Sequence, residues 1–165
     1  MRLYSQHAKQ SRSPATPYEI KESDVHGKGV FARAFIPAGQ RIIEYKGERI
    51  SWETALERAA SAGHAIGHTY FFSLADGRVI DGASKGNAAR FINHSCEPNC
   101  EPLEHEDGRV FIYSLRDIDP GEELSYYYAL IYEGRHTSAV KRAFPCYCGS
   151  PCCSGTMLAP KRARK

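Results

Sequence analysis

Four thiols crowd into the eight residues Cys146-Tyr147-Cys148-Gly149-Ser150-Pro151-Cys152-Cys153, and this run constrains the fold more than any other part of the chain. Cysteines two apart can turn both sulfurs toward one ion, and Gly149 and Pro151 favour the tight backbone that brings a third around. Zinc takes four thiolate or imidazole ligands in a tetrahedron, so one more has to come from elsewhere. The other two cysteines, Cys96 and Cys100, lie far upstream, and either can supply it. Disulfides, an iron–sulfur cluster and unliganded core thiols are the competing readings. Met1 to Pro14 is polar and basic and lacks the apolar stretch of a signal peptide. The expected location is therefore intracellular: the cytoplasm of a bacterium, or the nucleus or chromosome of a eukaryote. A reducing compartment argues against disulfides. An iron–sulfur cluster also needs four thiolates, so spacing leaves it open.

With 165 residues, 42% hydrophobic and 25% charged, the chain suits one soluble domain with a modest core. No apolar run approaches the roughly 18 residues that span a bilayer. A monomer without membrane contact is expected. The net charge of +3 is too small to argue nucleic-acid binding. Its distribution says more, because Lys161, Arg162, Arg164 and Lys165 close the chain while Arg2, Lys9 and Arg12 dot its start. Such ends are solvated arms, or they give a weak electrostatic grip on DNA or an acidic partner.

Hydrophobic patterning points to a mainly β domain. Tyr18 to Lys21, Gly29 to Ala34 and Gln40 to Ile50 are rich in β-branched and aromatic residues and bounded by Gly and Pro. Tyr70 to Leu74 and Arg78 to Ile80 flank Asp76-Gly77, a strong hairpin signal. Asp107-Gly108 precedes the apolar Val110 to Leu115, and Asp119-Pro120-Gly121 leads into Glu123 to Tyr128. One helix is expected: Ser51 caps it, Trp52, Ala55, Leu56, Ala59 and Ala60 share a core-facing stripe, and Gly63 stops it.

Between Gly86 and Cys100 runs Gly86-Asn87-Ala88-Ala89-Arg90-Phe91-Ile92-Asn93-His94-Ser95-Cys96-Glu97-Pro98-Asn99-Cys100. Its hydrogen-bonding side chains around Phe91 and Ile92 suit a buried strand whose polar neighbours face a ligand. The stretch from Asn87 to Cys100 resembles the signature of SET-domain lysine methyltransferases. Gly27-Lys28-Gly29 resembles that family's N-terminal glycine pair, and Glu44-Tyr45-Lys46-Gly47-Glu48 its next strand motif. Gly121-Glu122-Glu123-Leu124-Ser125-Tyr126-Tyr127-Tyr128 resembles the C-terminal tyrosine motif, and Cys146 to Gly155 the post-SET zinc element. The resemblance covers residues 17 to 158 and implies an arm over 1–16, a SET domain over 17–130, a connection and post-SET motif over 131–158, and a basic tail over 159–165.

The resemblance further implies a fold of several short curved sheets with a pseudoknot-like C-terminal crossing, S-adenosylmethionine as cofactor and a structural zinc. Gly27, Lys28 and Gly29 would lay backbone against the cofactor. Asn93 and His94 would hydrogen-bond it, Tyr45 and Arg90 would shape its pocket, and Met157 or Leu158 would close over it. Tyr70, Phe72 and Tyr126 would line the substrate-lysine channel. Tyr128 occupies the catalytic position, beside both cofactor and substrate, with Tyr126 and Tyr70 as further catalytic candidates. By position the zinc ligands would be Cys96, Cys146, Cys148 and Cys153, with Cys100 and Cys152 spare. The implied partner is a protein or peptide bearing a lysine, such as a histone or another DNA-associated protein, modified mainly to the mono- or dimethyl state. Two departures stand out: Tyr127 occupies a place where the family often has an acid, and the doublet Cys152-Cys153 blurs the third tail ligand. A SET-like binding module without turnover and a zinc-dependent nucleic-acid module are the alternatives. The intact Asn93-His94 and Tyr128 weigh against the first, and the small net charge against the second.

Overall fold

A computed structural model describes residues 16–62 and 69–161. The Gly63 stop and most of the two basic ends lie outside the described residues. Ten short strands dominate: β1 (Tyr18–Glu22), β2 (Lys28–Ala32), β3 (Arg41–Glu44), β4 (Glu48–Ile50), β5 (Phe71–Ser73), β6 (Val79–Asp81), β7 (Asn93–His94), β8 (Cys100–Glu104), β9 (Val110–Ser114) and β10 (Ser125–Tyr126). Helix α1 (Trp52–Ser61) follows β4, and the short α2 (Ser138–Ala143) lies near the C-terminus.

The strands form four small sheets: β1-β2, β3-β9-β8, β4-β6-β5 and the parallel pair β10-β7. The Asp-Gly turns do what their chemistry requires. Gly77 and Gly108 adopt left-handed φ values of 84° and 74°, closing the β5–β6 and β8–β9 hairpins. A main core gathers Val30, Ile36, Ile92, Val110, Ile112, Ile118 and Leu124, all fully buried, from stretches far apart in the chain.

The structure corrects four expectations. The stretch Gln40 to Ile50 is not one strand: it breaks at Tyr45-Lys46-Gly47, and β3 and β4 join different sheets. At Gly47 a Cβ would collide with the Asp81 carbonyl, so the chain can turn this close to β6 because glycine has no side chain. Ala88–Phe91 is a 3₁₀ turn capped by the Asn87 side chain, not a strand; extended pairing is confined to Asn93–His94. Ser51 caps α1 as expected, its Oγ accepting from the Thr54 N–H. The helix packs through Ala55 and Ala59, however, while Trp52 and Leu56 are 49% and 47% exposed and Ala60 is exposed. Small alanines let it approach Ile50 and Val79 closely, and this rotates the large residues outward. Finally, the connection after Ala129 holds α2, whose cap is Thr137.

Ion pairs tie α1 to the sheet beneath it. Arg58 reaches Asp81 at 2.7 Å and Glu48 at 3.0 Å, and Asp81 is buried. Gly47→Ala should destabilise the protein by about 1–3 kcal/mol, because the new methyl has backbone rather than a flexible side chain to displace. Urea denaturation reads this directly, and an unchanged midpoint would show that the β4–β6 approach has room for a methyl group.

Candidate active site

The parallel β7–β10 pair sets Asn93 beside Ser125 and His94 beside Tyr126. Next to it opens a cavity of about 640 Å³, within the range of small-molecule and cofactor sites. Of the sequence-predicted residues, Gly27, Lys28, Tyr45, Tyr70, Phe72, Arg90, Asn93, His94, Tyr126, Tyr128 and Met157 line it. Gly29 and Leu158 do not. Gly29 packs against Glu123, whose carboxylate occupies the space a Cβ would need. Leu158 is buried, forming a parallel bridge with Leu130.

One wall is a chain of aromatic rings. Tyr45 meets Phe72 at 5.3 Å between centroids, Phe72 meets Tyr126 at 6.4 Å, and Tyr126 meets Tyr128 at 4.9 Å. Hydrogen bonds fix two of these tyrosines. The Tyr45 hydroxyl donates to the Tyr70 carbonyl at 2.8 Å, and the Tyr128 hydroxyl donates to the Ile92 carbonyl at 2.7 Å. Burial raises the pKa of Tyr45, Tyr126 and Tyr128, so each remains a neutral phenol near pH 7. Ala129, immediately after Tyr128, is held at a φ of 51°, a left-handed conformation that costs a non-glycine residue about 1–2 kcal/mol.

His94 is committed to the protein on both ring nitrogens. Nδ1 accepts from the Tyr128 N–H at 3.1 Å, so the neutral ring carries its proton on Nε2, which lies 3.7 Å from Cys96 Sγ. Burial lowers its pKa to about 4, which keeps the ring neutral at pH 7. Tyr127, at the position where the family often has an acid, packs its ring 5.1 Å from the imidazole. Arg90 lies over the rings of Tyr70 and Phe91, at 5.6 and 4.6 Å, and donates to the Gly82 carbonyl at 3.1 Å. Its Nε is buried without a partner among the described residues, a donor still owed an acceptor in the cavity wall.

Sequence reasoning missed Ser23 and Glu123. The Ser23 hydroxyl lies 2.8 and 2.9 Å from the two Glu123 oxygens, and Asn93 Nδ2 donates to Glu123 Oε1 at 2.7 Å. Their signal is weak, because a serine and a glutamate a hundred residues apart carry no local pattern.

The cysteines complete the site. The sulfurs of Cys96, Cys146, Cys148 and Cys153 all lie within 4.8 Å of one another, with Cys96 and Cys146 at 3.9 Å. Zinc–sulfur bonds of about 2.3 Å in a tetrahedron place sulfurs about 3.8 Å apart, so the donor set and its spacing fit a thiolate-bound metal. Burial opposes ionisation of Cys148, yet hydrogen bonds from the Cys96 and Ser150 backbones and the neighbouring thiols bring its pKa down to about 6. Cys152 is exposed and lies outside the group, and Cys153 is the member of the doublet within it. Cys100 is a core residue whose thiol burial pushes up to about 12. Cys146 also lines the cavity, so the cysteine cluster and the cavity share a wall.

Comparison with known proteins agrees with this geometry. The SET domain family matches residues 27–129, and the chain belongs to that family. Over 143 residues it is 40% identical to a histone-lysine N-methyltransferase, H3 lysine-4 specific, of Candida albicans and 39% identical to the protein of the same name from Saccharomyces cerevisiae. Both matches take in 84% of this chain and 13% of the relative, so the chain spans about an eighth of their length. Chaetomium thermophilum Polycomb Repressive Complex 2 superimposes with a TM-score of 0.61 at 33% identity, over 68% of this chain and 16% of that one. That structure is of a complex, so it lends the expected monomer no support. Among the described residues, no helix is long and apolar enough to cross a membrane.

Elemental analysis of the purified protein should find one zinc per chain. Cys148→Ser and Cys153→Ser should abolish metal retention, whereas Cys152→Ser should keep it. Metal loss in Cys152→Ser with retention in Cys153→Ser would reverse the assignment.

Proposed function

We propose that the protein transfers methyl groups from S-adenosylmethionine to the side-chain nitrogen of lysine in a protein substrate, a histone or another DNA-associated protein at chromatin. The observation that carries this reading is the cavity itself, in which an aromatic wall ending at Tyr126 and Tyr128 meets the Gly27–Lys28 loop and Asn93. The identity to relatives named for histone H3 lysine-4 supports the substrate class.

The chemistry suits these residue types. Bound in the cavity, S-adenosylmethionine supplies a methyl group on a positively charged sulfur. A lysine must be neutral to accept it, and at pH 7 deprotonating a free lysine costs about 4.6 kcal/mol. The rings of Tyr45, Phe72, Tyr126 and Tyr128 exclude water and so disfavour the ammonium. Tyr128 is no base, since its phenol keeps its proton and donates it in a hydrogen bond to Ile92 O. In this reading it aligns the reacting nitrogen through its ring and its remaining lone pair, a positioning effect. His94 serves by holding the Tyr128 backbone. Zinc on the four cysteines is structural, ordering a tail that brings Met157 to the cavity.

Tyr126 sets the product in this reading. Its hydroxyl occupies volume that a second or third methyl group would need, so monomethyl-lysine predominates, with some dimethyl-lysine. A difference of about 1.4 kcal/mol between successive steps changes their ratio tenfold, and one hydroxyl suffices.

Labelling purified histones with tritiated cofactor tests the activity itself; absence of label on histones and on every protein of a lysate would overturn it. Tyr128→Phe should lower turnover about tenfold or more while cofactor affinity stays within about twofold. A fully active variant removes Tyr128 from its role. On a single-lysine peptide incubated to completion, Tyr126→Phe should shift the intact-mass distribution toward di- and trimethyl-lysine. If the wild type already makes trimethyl-lysine, Tyr126 does not limit the product.

A further inference from the structure

A second, smaller cavity of about 180 Å³ shares Tyr45 with the first. Lys46, Arg49, Lys85 and Arg109 line it, with Glu44 as the only acid in its wall. That carboxylate is already engaged, because Arg109 grips both of its oxygens, at 3.0 and 2.8 Å. Lys46 reaches it only at 3.8 Å. Arg49 donates to the Gly108 carbonyl at 2.7 Å and, like Lys85, forms no ion pair among the described residues. Two other acids lie close by. Asp107 accepts from the Arg109 N–H, and Glu48 is paired with Arg58. The cavity therefore keeps a surplus of positive charge.

The backbone beneath these cations is fixed. Asn87 Oδ1 accepts from the Lys46 N–H at 3.3 Å, and its Nδ2 donates to the Glu44 carbonyl at 2.8 Å. The Glu48 N–H donates to the Ser84 carbonyl at 2.9 Å. These bonds join the loop after β6 to the turn between β3 and β4, so Lys85 and Lys46 stand on one connected frame. Lys85 itself is held at a φ of 55°, a left-handed conformation uncommon outside glycine. The charge also extends beyond the cavity. Arg109 and Arg41 both lie over the Phe111 ring, at 4.7 and 4.8 Å, which brings Arg41 into the same patch. Lone exposed ion contacts contribute little each, but an extended set of cations binds a polyanion by displacing its condensed counterions.

We propose that Arg41, Lys46, Arg49, Lys85 and Arg109 form a phosphate-binding surface for the backbone of duplex DNA, separate from the basic ends of the chain. The choice of DNA rests on the function proposed above, since a DNA-associated substrate brings a duplex with it. Tyr45 borders both cavities, so a duplex held here lies beside the site where the lysine would enter. Contacts of this kind fix position on the duplex and carry no sequence preference.

Fluorescence anisotropy with a labelled duplex of about 20 base pairs, titrated between about 50 and 200 mM salt, counts the phosphate contacts. Wild type should bind. The slope of log affinity against log salt should fall by about 1 in Lys46→Gln and in Lys85→Asn, and by about 2 in the double variant. Asparagine suits the left-handed backbone at position 85, and thermal melts of each variant check the fold. Lys21→Gln removes an exposed cation from β1 and should leave the slope unchanged. No binding by the wild type, unchanged slopes in the patch variants, or an equal fall in Lys21→Gln would each overturn the proposal. So would polyglutamate that binds through Lys46 and Lys85 when the duplex does not, because the surface would then serve an acidic protein. Patch-dependent DNA binding by a protein that labels no substrate would overturn the methyltransfer reading and leave this surface standing.

Discussion

Everything in the site hangs from a parallel ladder two residues long. The β7–β10 pairing brings Asn93–His94 and Ser125–Tyr126 side by side, and the Ser95 N–H extends it to the Tyr126 carbonyl at 3.2 Å. So few bonds, each worth about 1 kcal/mol net, cannot hold two distant stretches together. Asn99 supplies the rest. This buried side chain donates to the Glu123 carbonyl and accepts from the Ser125 N–H at 2.9 Å, and the Asn99 backbone carbonyl accepts from the Leu115 N–H. An amide satisfied on both ends inside the core specifies one register, because any slip leaves buried polar groups unmet.

From that register the two faces of the ladder diverge. Asn93 turns to the Gly27–Lys28 loop, while His94 turns to the Tyr128 N–H and, two residues on, Cys96 joins the thiol group. The tail beyond α2 contributes little apolar burial, with Thr156 and Leu158 as its buried residues and isolated bridges at Leu130–Leu158 and Pro145–Thr156. A bound metal would therefore do for this tail what a core does elsewhere, and Cys96 is the point where the tail meets the ladder.

Much of this was legible in the sequence where local chemistry decides. The Asp76-Gly77 turn, the Ser51 cap and the cysteine spacing each follow from neighbours in the chain, and the structure places them accordingly. Legibility failed where a distant residue decides. Gly29 reads as a turn or ligand-contact glycine, yet its neighbour in space is Glu123. The helix stripe of α1 was read with the correct period but the wrong centre, because the depth of the approach to Ile50 and Val79 selects alanine over Trp52 and Leu56. The strand expected over Ala88–Phe91 became a 3₁₀ turn because the Asn87 side chain accepts from Ala89 and donates to Glu44 O, 43 residues away.

The buried phenols narrow the chemistry further. An acceptor of the lysine proton within the aromatic wall would need a pKa near neutrality, and the rings present have theirs moved the other way by burial. His94 is shifted away as well, and its two nitrogens face Tyr128 and Cys96. In the proposed reading the wall assists by making a buried ammonium unfavourable relative to the neutral amine. On that account the useful property of Tyr128 is the direction of its hydroxyl. Its hydrogen bond to Ile92 O fixes that direction, and Ile92 is itself anchored by complete burial one residue before the ladder begins. In the proposed reaction, position, set from the core outward, is what the fold contributes.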